Sequence, residues 1–406
     1  MTPFGSSTAS VGVVRSATPT SQSDGRQPAV TRRLRWRSAG LALVGAVACK
    51  TADQPQAEPP IAMIDIEGTN PLLVGADGAV TSTADPLPWF RYAMVPVGDT
   101  ALLALGSPDP PLSERVVMMR LPWGDVTRSV VTAELLTDWM GCVVDGRAPG
   151  SAAIAGSPAH VLLAGISVCD TSALVGLSWP EARVTGVLRD LAASLAAVPG
   201  DSHLVAAAGR RPSQADSVGR IYIVNVQTMT LVDSSPPVTA NGRYPWVEII
   251  WTDDPDVGYV LTTDARVRLY RRSTGVFSPV AADAVWSRIR FDPRRNAVLV
   301  LTPGDPFDWP GRPLLQWFSD TGEVFPRVNL AGMMPDGSDP VIRDARPDGS
   351  GGLLVLTGTE RVGPLYPHQA CRVFRVNDTA AAGVSVSLLA TTDAYGCRNL
   401  VPIGAQ

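Results

Sequence analysis

Four arginines stand shortly before a proline. Arg91 and Arg288 each lie five residues before Pro96 and Pro293, while Arg343 and Arg398 lie four before Pro347 and Pro402. If these segments are strands around one channel, the four guanidiniums form a partial basic ring. Such forks match carboxylate or phosphate and would receive a small anionic ligand. A one-residue offset turns a strand side chain to the opposite face, so the two pairs need not share a wall. The alternative is pairing with nearby acids such as Asp292 and Asp344.

Other reactive groups are sparse. Of the three histidines, His160 and His203 each directly precede an apolar run, and His368 stands apart. A histidine placed there reads as a solvated turn residue. The acidic run Asp253-Asp254-Pro255-Asp256 lacks the extended spacing of a calcium loop and reads as a solvated turn. No metalloprotease HExxH, nucleophile elbow or phosphate loop occurs. The sole lysine is Lys50, so no Schiff-base lysine is available further along the chain. Neither a cofactor nor a metal is expected, and no catalytic residue is assigned.

The five cysteines divide into one and four. Cys49 follows a basic cluster, an apolar run and small residues: Arg32 to Cys49 reads RRLRWRSAGLALVGAVAC. The apolar part, 39–48, is shorter than the roughly 20 residues of a membrane-spanning helix and suits a signal peptide. Its end, Ala46-Val47-Ala48-Cys49, resembles the lipobox of bacterial lipoproteins, with Ala46 where that family usually has Leu. The resemblance implies cleavage before Cys49, lipid attached to its sulfur, and a membrane anchor on the periplasmic or cell-surface side. Cys142, Cys169, Cys371 and Cys397 then sit in an oxidising compartment, where an even count reads as two disulfides. Sequence proximity favours Cys142–Cys169 and Cys371–Cys397 among the three possible pairings.

These features divide the chain. Residues 1–48 are a leader and lipoprotein-type signal peptide, with the true start expected near Val30 because 1–30 is Ser/Thr-rich without an apolar core. Residues 49–60 form a Pro-rich tether, and 61–406 the folded domain. Six arginines and one aspartate give residues 1–48 a charge of +5, which leaves −9 for 49–406 against −4 for the whole. A mildly acidic mature protein argues against a nucleic-acid partner.

Beyond residue 60 the pattern is short apolar runs between Pro, Gly, Asp and Asn clusters, the mark of many short strands. The best helical candidate is short, 182–197. One phrase recurs: an extended segment, a turn and a strongly apolar strand. It is seen at 90–105, 195–208, 289–301 and 341–356, with looser copies at 151–166 and 247–262. A strand, a turn holding threonine and another strand follow at 221–232, 267–277, 314–325 and 371–380, with Thr228, Thr274, Thr321 and Thr379 in the turns. A four-stranded unit of roughly 40–50 residues is a propeller blade. The cadence resembles YVTN and NHL-like propeller repeats.

Six units are evident. The phrase CRNLVPIG, Cys397 to Gly404, reads as the first strand of a seventh, completed by strands from 61–83 with a turn at 76–78. The expected fold is all-β, a seven-bladed β-propeller closed by its N- and C-terminal strands. Trp89, Trp246 and Trp286 each precede an innermost strand and are expected to pack between blades. The expected role is an envelope module that binds a small anionic ligand or a protein partner. The alternative is an extracytoplasmic hydrolase or lyase, which requires histidines or the 253–256 carboxylates to converge at a channel mouth.

Overall fold

A computed structural model describes residues 60–403 apart from several stretches, the longest being 132–143 and 359–369. From 90 to 159 and from 163 to 171 it describes backbone alone. The chain divides into two units, Met1–Gln56 and Ala57–Gln406, and every described residue belongs to the second.

Among the described residues there are thirty strands in seven antiparallel sheets and no helix. Six sheets take their strands consecutively from the chain: sheet II from 90–131, III from 144–189, IV from 192–234, V from 248–281, VI from 288–329 and VII from 342–391. Sheet I joins three strands of 62–82 to Cys397–Pro402, which pairs with Ala62–Ile66 so that Ile64 faces Leu400. The sheets fit a propeller-like architecture.

Burial changes in steps across each sheet. Second strands are apolar at nearly every position and buried along their centres: Leu204–Arg210 in IV, Ala297–Thr302 in VI and Leu353–Thr357 in VII. Fourth strands such as Thr230–Ser234 are mostly exposed. Alternate side chains of a strand point to opposite faces, and here each face meets a different sheet. Leu299, Leu301, Leu353 and Val355 join one core cluster between VI and VII. Val298 and Val300 join another with Tyr259 and Leu269 of V. Leu354 and Leu356 pack instead with Ile64 and Leu400 of I. The same division places Val205 and Ala207 against III, and Ala206 and Ala208 against V. A strand covered on both faces must be apolar at both parities, which is why these runs read as unbroken.

The hairpin turns use polar caps. In Asp292-Pro293-Arg294-Arg295-Asn296, the Asp292 carboxylate is 1% exposed and accepts hydrogen bonds from the Arg294 amide (3.2 Å) and the indole N–H of Trp317 (3.0 Å). Arg295 also pairs with Asp292 while its guanidinium lies over the Phe325 ring, 4.1 Å from the centroid. Gly78, in the turn at 76–78, has φ +84°, and a Cβ there would stand 2.0 Å from the Leu389 carbonyl oxygen.

Two readings of the sequence change. The helical candidate 182–197 is two strands, Arg183–Arg189 and Ala192–Ala197, separated where Asp190 adopts φ 60°. The Asp190 carboxylate fixes that bend by accepting a 2.8 Å hydrogen bond from the Ser213 amide. Thr379 is not in a turn but ends the strand Arg372–Thr379, opposite Gly383.

Cys371 and Cys397 form a disulfide in the shared core of sheets VII and I, both fully buried. It ties Cys397–Pro402 to the chain 26 residues earlier. Replacing both cysteines by alanine should lower stability by roughly 3.5 kcal/mol, the loop-closure entropy of that span. Denaturant unfolding of the variant against the oxidised protein checks this, and equal midpoints would refute it.

Candidate functional site

The first strand of each sheet is an edge, with a ladder partner on one side only. On four of these edges charged side chains meet. Asp344, on Ile342–Pro347 of sheet VII, has no exposed surface. Its carboxylate accepts from Arg290 Nε of sheet VI (2.8 Å), from Arg346 Nε on its own strand (3.3 Å) and from the Leu400 amide of sheet I (3.0 Å). Arg290 also reaches Glu248 of sheet V at 3.1 Å, and the second Glu248 oxygen accepts from the Ile289 amide at 3.4 Å. One carboxylate and one guanidinium therefore join the edges of V, VI, VII and I.

The electrostatics follow. Burial pushes the Asp344 carboxyl upward, but the charges of Arg290 and Arg346 and the Leu400 amide outweigh it and hold the group at about 2. Burial lowers the Arg346 guanidinium, and the like charge of Arg290 adds to this while Asp344 opposes it. Arg288 also acts on Asp344. Arg290 and Arg346 thus stand beside Glu248 and Asp344 at the cavity.

A cavity of about 350 Å³ opens beside this network. Glu248, Arg290 and Arg346 supply its charged lining, and Leu195, Trp251 and Phe291 part of its apolar wall. Arg346 keeps 39% of its side-chain surface accessible, against 12% for Arg290. Arg290 is held by the protein, whereas Arg346 is the guanidinium open to a ligand.

The arginines expected from the sequence are distributed differently. Arg288 and Arg398 come together, the Arg288 guanidinium donating to the Arg398 carbonyl at 3.4 Å. Arg343 donates instead to the Gly358 carbonyl of its own sheet at 2.8 Å. The side chain of Arg91 lies outside the described residues, as do Cys49, Cys142, Cys169, His368, Trp89, Trp246 and Trp286. Arg290 and Arg346, which line the cavity, were missed. A register signal was present: Arg290, Asp344 and Asn399 each lie three residues before the turn proline. Asn399 completes that row by donating to Asp65 at 3.2 Å.

Asp254 and Asp256 belong to a turn: the Asp256 amide donates to Asp254 (2.8 Å) and the Ser273 hydroxyl to Asp256 (2.7 Å). His203 lies in a turn region as expected, whereas His160 opens a strand, and neither is fully solvated. Both are half-buried, with ring centroids 6.0 Å apart. His160 opens its strand and His203 directly precedes Leu204–Arg210, and the rings meet at the seam of III and IV.

No family profile and no curated protein matches this sequence. Among solved structures, hydrazine synthase of Kuenenia stuttgartiensis is similar over 61% of this chain and 68% of its own, at 11% identity and a TM-score of 0.44. A likeness that distant carries no argument about activity.

The Asp344 network sets a pH dependence. Its folded pKa of about 2 lies below the ~3.9 of an unfolded aspartate. The stabilisation is complete above about pH 4 and fades as the pH falls toward 2. Asp344→Asn, which leaves Arg290 without its buried partner, should cost about 3–5 kcal/mol at neutral pH and flatten the acid limb. Urea unfolding from pH 2 to 7 checks both, and an unchanged acid limb would refute the assignment.

Proposed function

We propose that this chain is an exported, lipid-anchored envelope protein whose folded part is a seven-bladed β-propeller that binds a small organic anion between its inner strands. The propeller reading is supported by the seven sheets and by the pairing of Cys397–Pro402 with Ala62–Ile66. Phe90–Val97 of sheet II also lies beside both Ser151–Ala155 of III and Cys397–Pro402 of I. A ring closed by both chain ends has no free sheet faces and few exposed edges.

The observation that carries the ligand reading is the partly accessible Arg346 side chain at the cavity. Arg346 is drawn toward Asp344 yet repelled by Arg290. An anion between the cavity and Arg346 relieves that repulsion and engages an unused fork. The apolar wall formed by Leu195, Trp251 and Phe291 suits the carbon body of a carboxylate better than a bare inorganic ion. Among the described residues the indole N–H of the lining residue Trp251 is buried without a hydrogen-bond partner. The expected membrane association is through lipid on Cys49, and Cys142–Cys169 is the expected second disulfide.

Calorimetric titration with succinate, citrate and inorganic phosphate tests the site. At least one carboxylate should bind, and Arg346→Ala should weaken it tenfold or more while the Arg290–Asp344 pair keeps the fold. No binding across the panel, or equal binding by Arg346→Ala, would overturn the reading. Mass spectrometry of the native protein should find a lipidated N-terminal Cys49; an unmodified Cys49 would remove the anchor.

A further inference from the structure

We infer that His160 and His203 form a binding site for a borderline divalent transition cation, Cu2+ or Zn2+, at the seam between sheets III and IV. The inference is independent of the anion site. It starts from strand parity. His160 opens the strand His160–Val168, and His203 directly precedes Leu204–Arg210. Leu162 and Val205, each two residues further on, belong to the single core cluster that joins the two sheets. His160 shares a strand face with Leu162, and the 6.0 Å ring separation places His203, in the bend before its strand, at the same seam.

Both backbones are fixed. His160 pairs with Ala155 on one side and Ser178 on the other. The His203 amide donates to Asp201 at 2.8 Å, and its carbonyl accepts from the Val226 amide at 2.9 Å. The rings stand edge to face at 6.0 Å with 61° between their planes. Metal–imidazole bonds of about 2.0–2.1 Å place two rings on one cation with centroids roughly 5–6 Å apart. The observed separation falls at the upper end of that range, so the pair needs little or no rearrangement to share an ion.

The nitrogens carry the argument furthest. Nδ1 of His160 and Nδ1 of His203 are both buried, and neither has a hydrogen-bond partner among the described residues. Buried polar atoms are normally satisfied, and here one on each of two neighbouring rings has no partner among the described residues. Neutral imidazole is a ligand for Cu2+ and Zn2+. Both rings keep part of their surface accessible, so an ion has an approach and water can fill its remaining positions. Among the described residues no third His, Cys, Asp or Glu joins the pair.

Titration of the full, untagged chain with Cu2+ tests this, read by electron paramagnetic resonance. One equivalent should bind with nitrogen hyperfine coupling from two imidazoles. His160→Ala and His203→Ala should each weaken binding at least tenfold, and His368→Ala should leave it unchanged. A measurement on the unaltered chain removes dependence on how the variants fold. Diethylpyrocarbonate labelling, mapped by mass spectrometry, should modify His160 and His203 in the apo protein and be blocked at both by Zn2+. No imidazole coupling, unweakened binding by the double variant, or labelling indifferent to Zn2+ would overturn the inference.

Discussion

The contact on which the inner part of this protein depends is the one between Asp344 and Arg290. Edge strands present backbone groups without ladder partners, and neighbouring edges must be held together by side chains. A fully buried carboxylate accepting from sheets VI, VII and I, and a guanidinium that carries the chain of contacts on to sheet V, do this with two residues. Burial of either charge alone is costly; burial together with several hydrogen bonds offsets that cost. Asp344 and Glu248 both engage Arg290, which leaves Arg346 with a single hydrogen bond to Asp344 and part of its side chain accessible at the cavity. The cavity inherits its character from that guanidinium.

The outer part follows a simpler rule. In sheets IV, VI and VII the second strand is covered on both faces, so it is apolar at odd and even positions alike, and each parity serves a different neighbour. Ala297 to Thr302 shows this most fully: Leu299 and Leu301 pack toward sheet VII, Val298 and Val300 toward sheet V. The histidine seam lies at the end of one such strand. His160 opens a strand of sheet III and His203 directly precedes Leu204–Arg210, and their rings meet where the apolar run gives way to solvent.

Much of this was legible in the residues. Unbroken apolar runs after Pro-Gly-Asp or Asp-Pro turns located the second strands, and the phrase at Cys397 announced a strand that pairs with the start of the domain. The Cys371–Cys397 disulfide followed from proximity. The error at 182–197 came from treating alanines and leucines as helical when Asp190 breaks the run with a left-handed backbone. The site was legible only in outline. Counting arginines from the turn proline found the right strands but the wrong register, because a bulge between Ile342 and Asp344 shifts which side chains turn inward. Glu248 carried no signal, since its strand is a loose copy of the repeat. The meeting of His160 and His203, 43 positions apart, depends on the stacking of two sheets that no local pattern encodes.

A double-mutant cycle on Arg290 and Asp344 tests most directly whether one buried contact unites the inner strands. Stabilities of the parent, Arg290→Met, Asp344→Asn and the double variant are compared in urea at pH 7. The account predicts a coupling energy of about 2–3 kcal/mol, near the upper end seen for residues in one buried network. Additive losses, within about 0.5 kcal/mol, would contradict it.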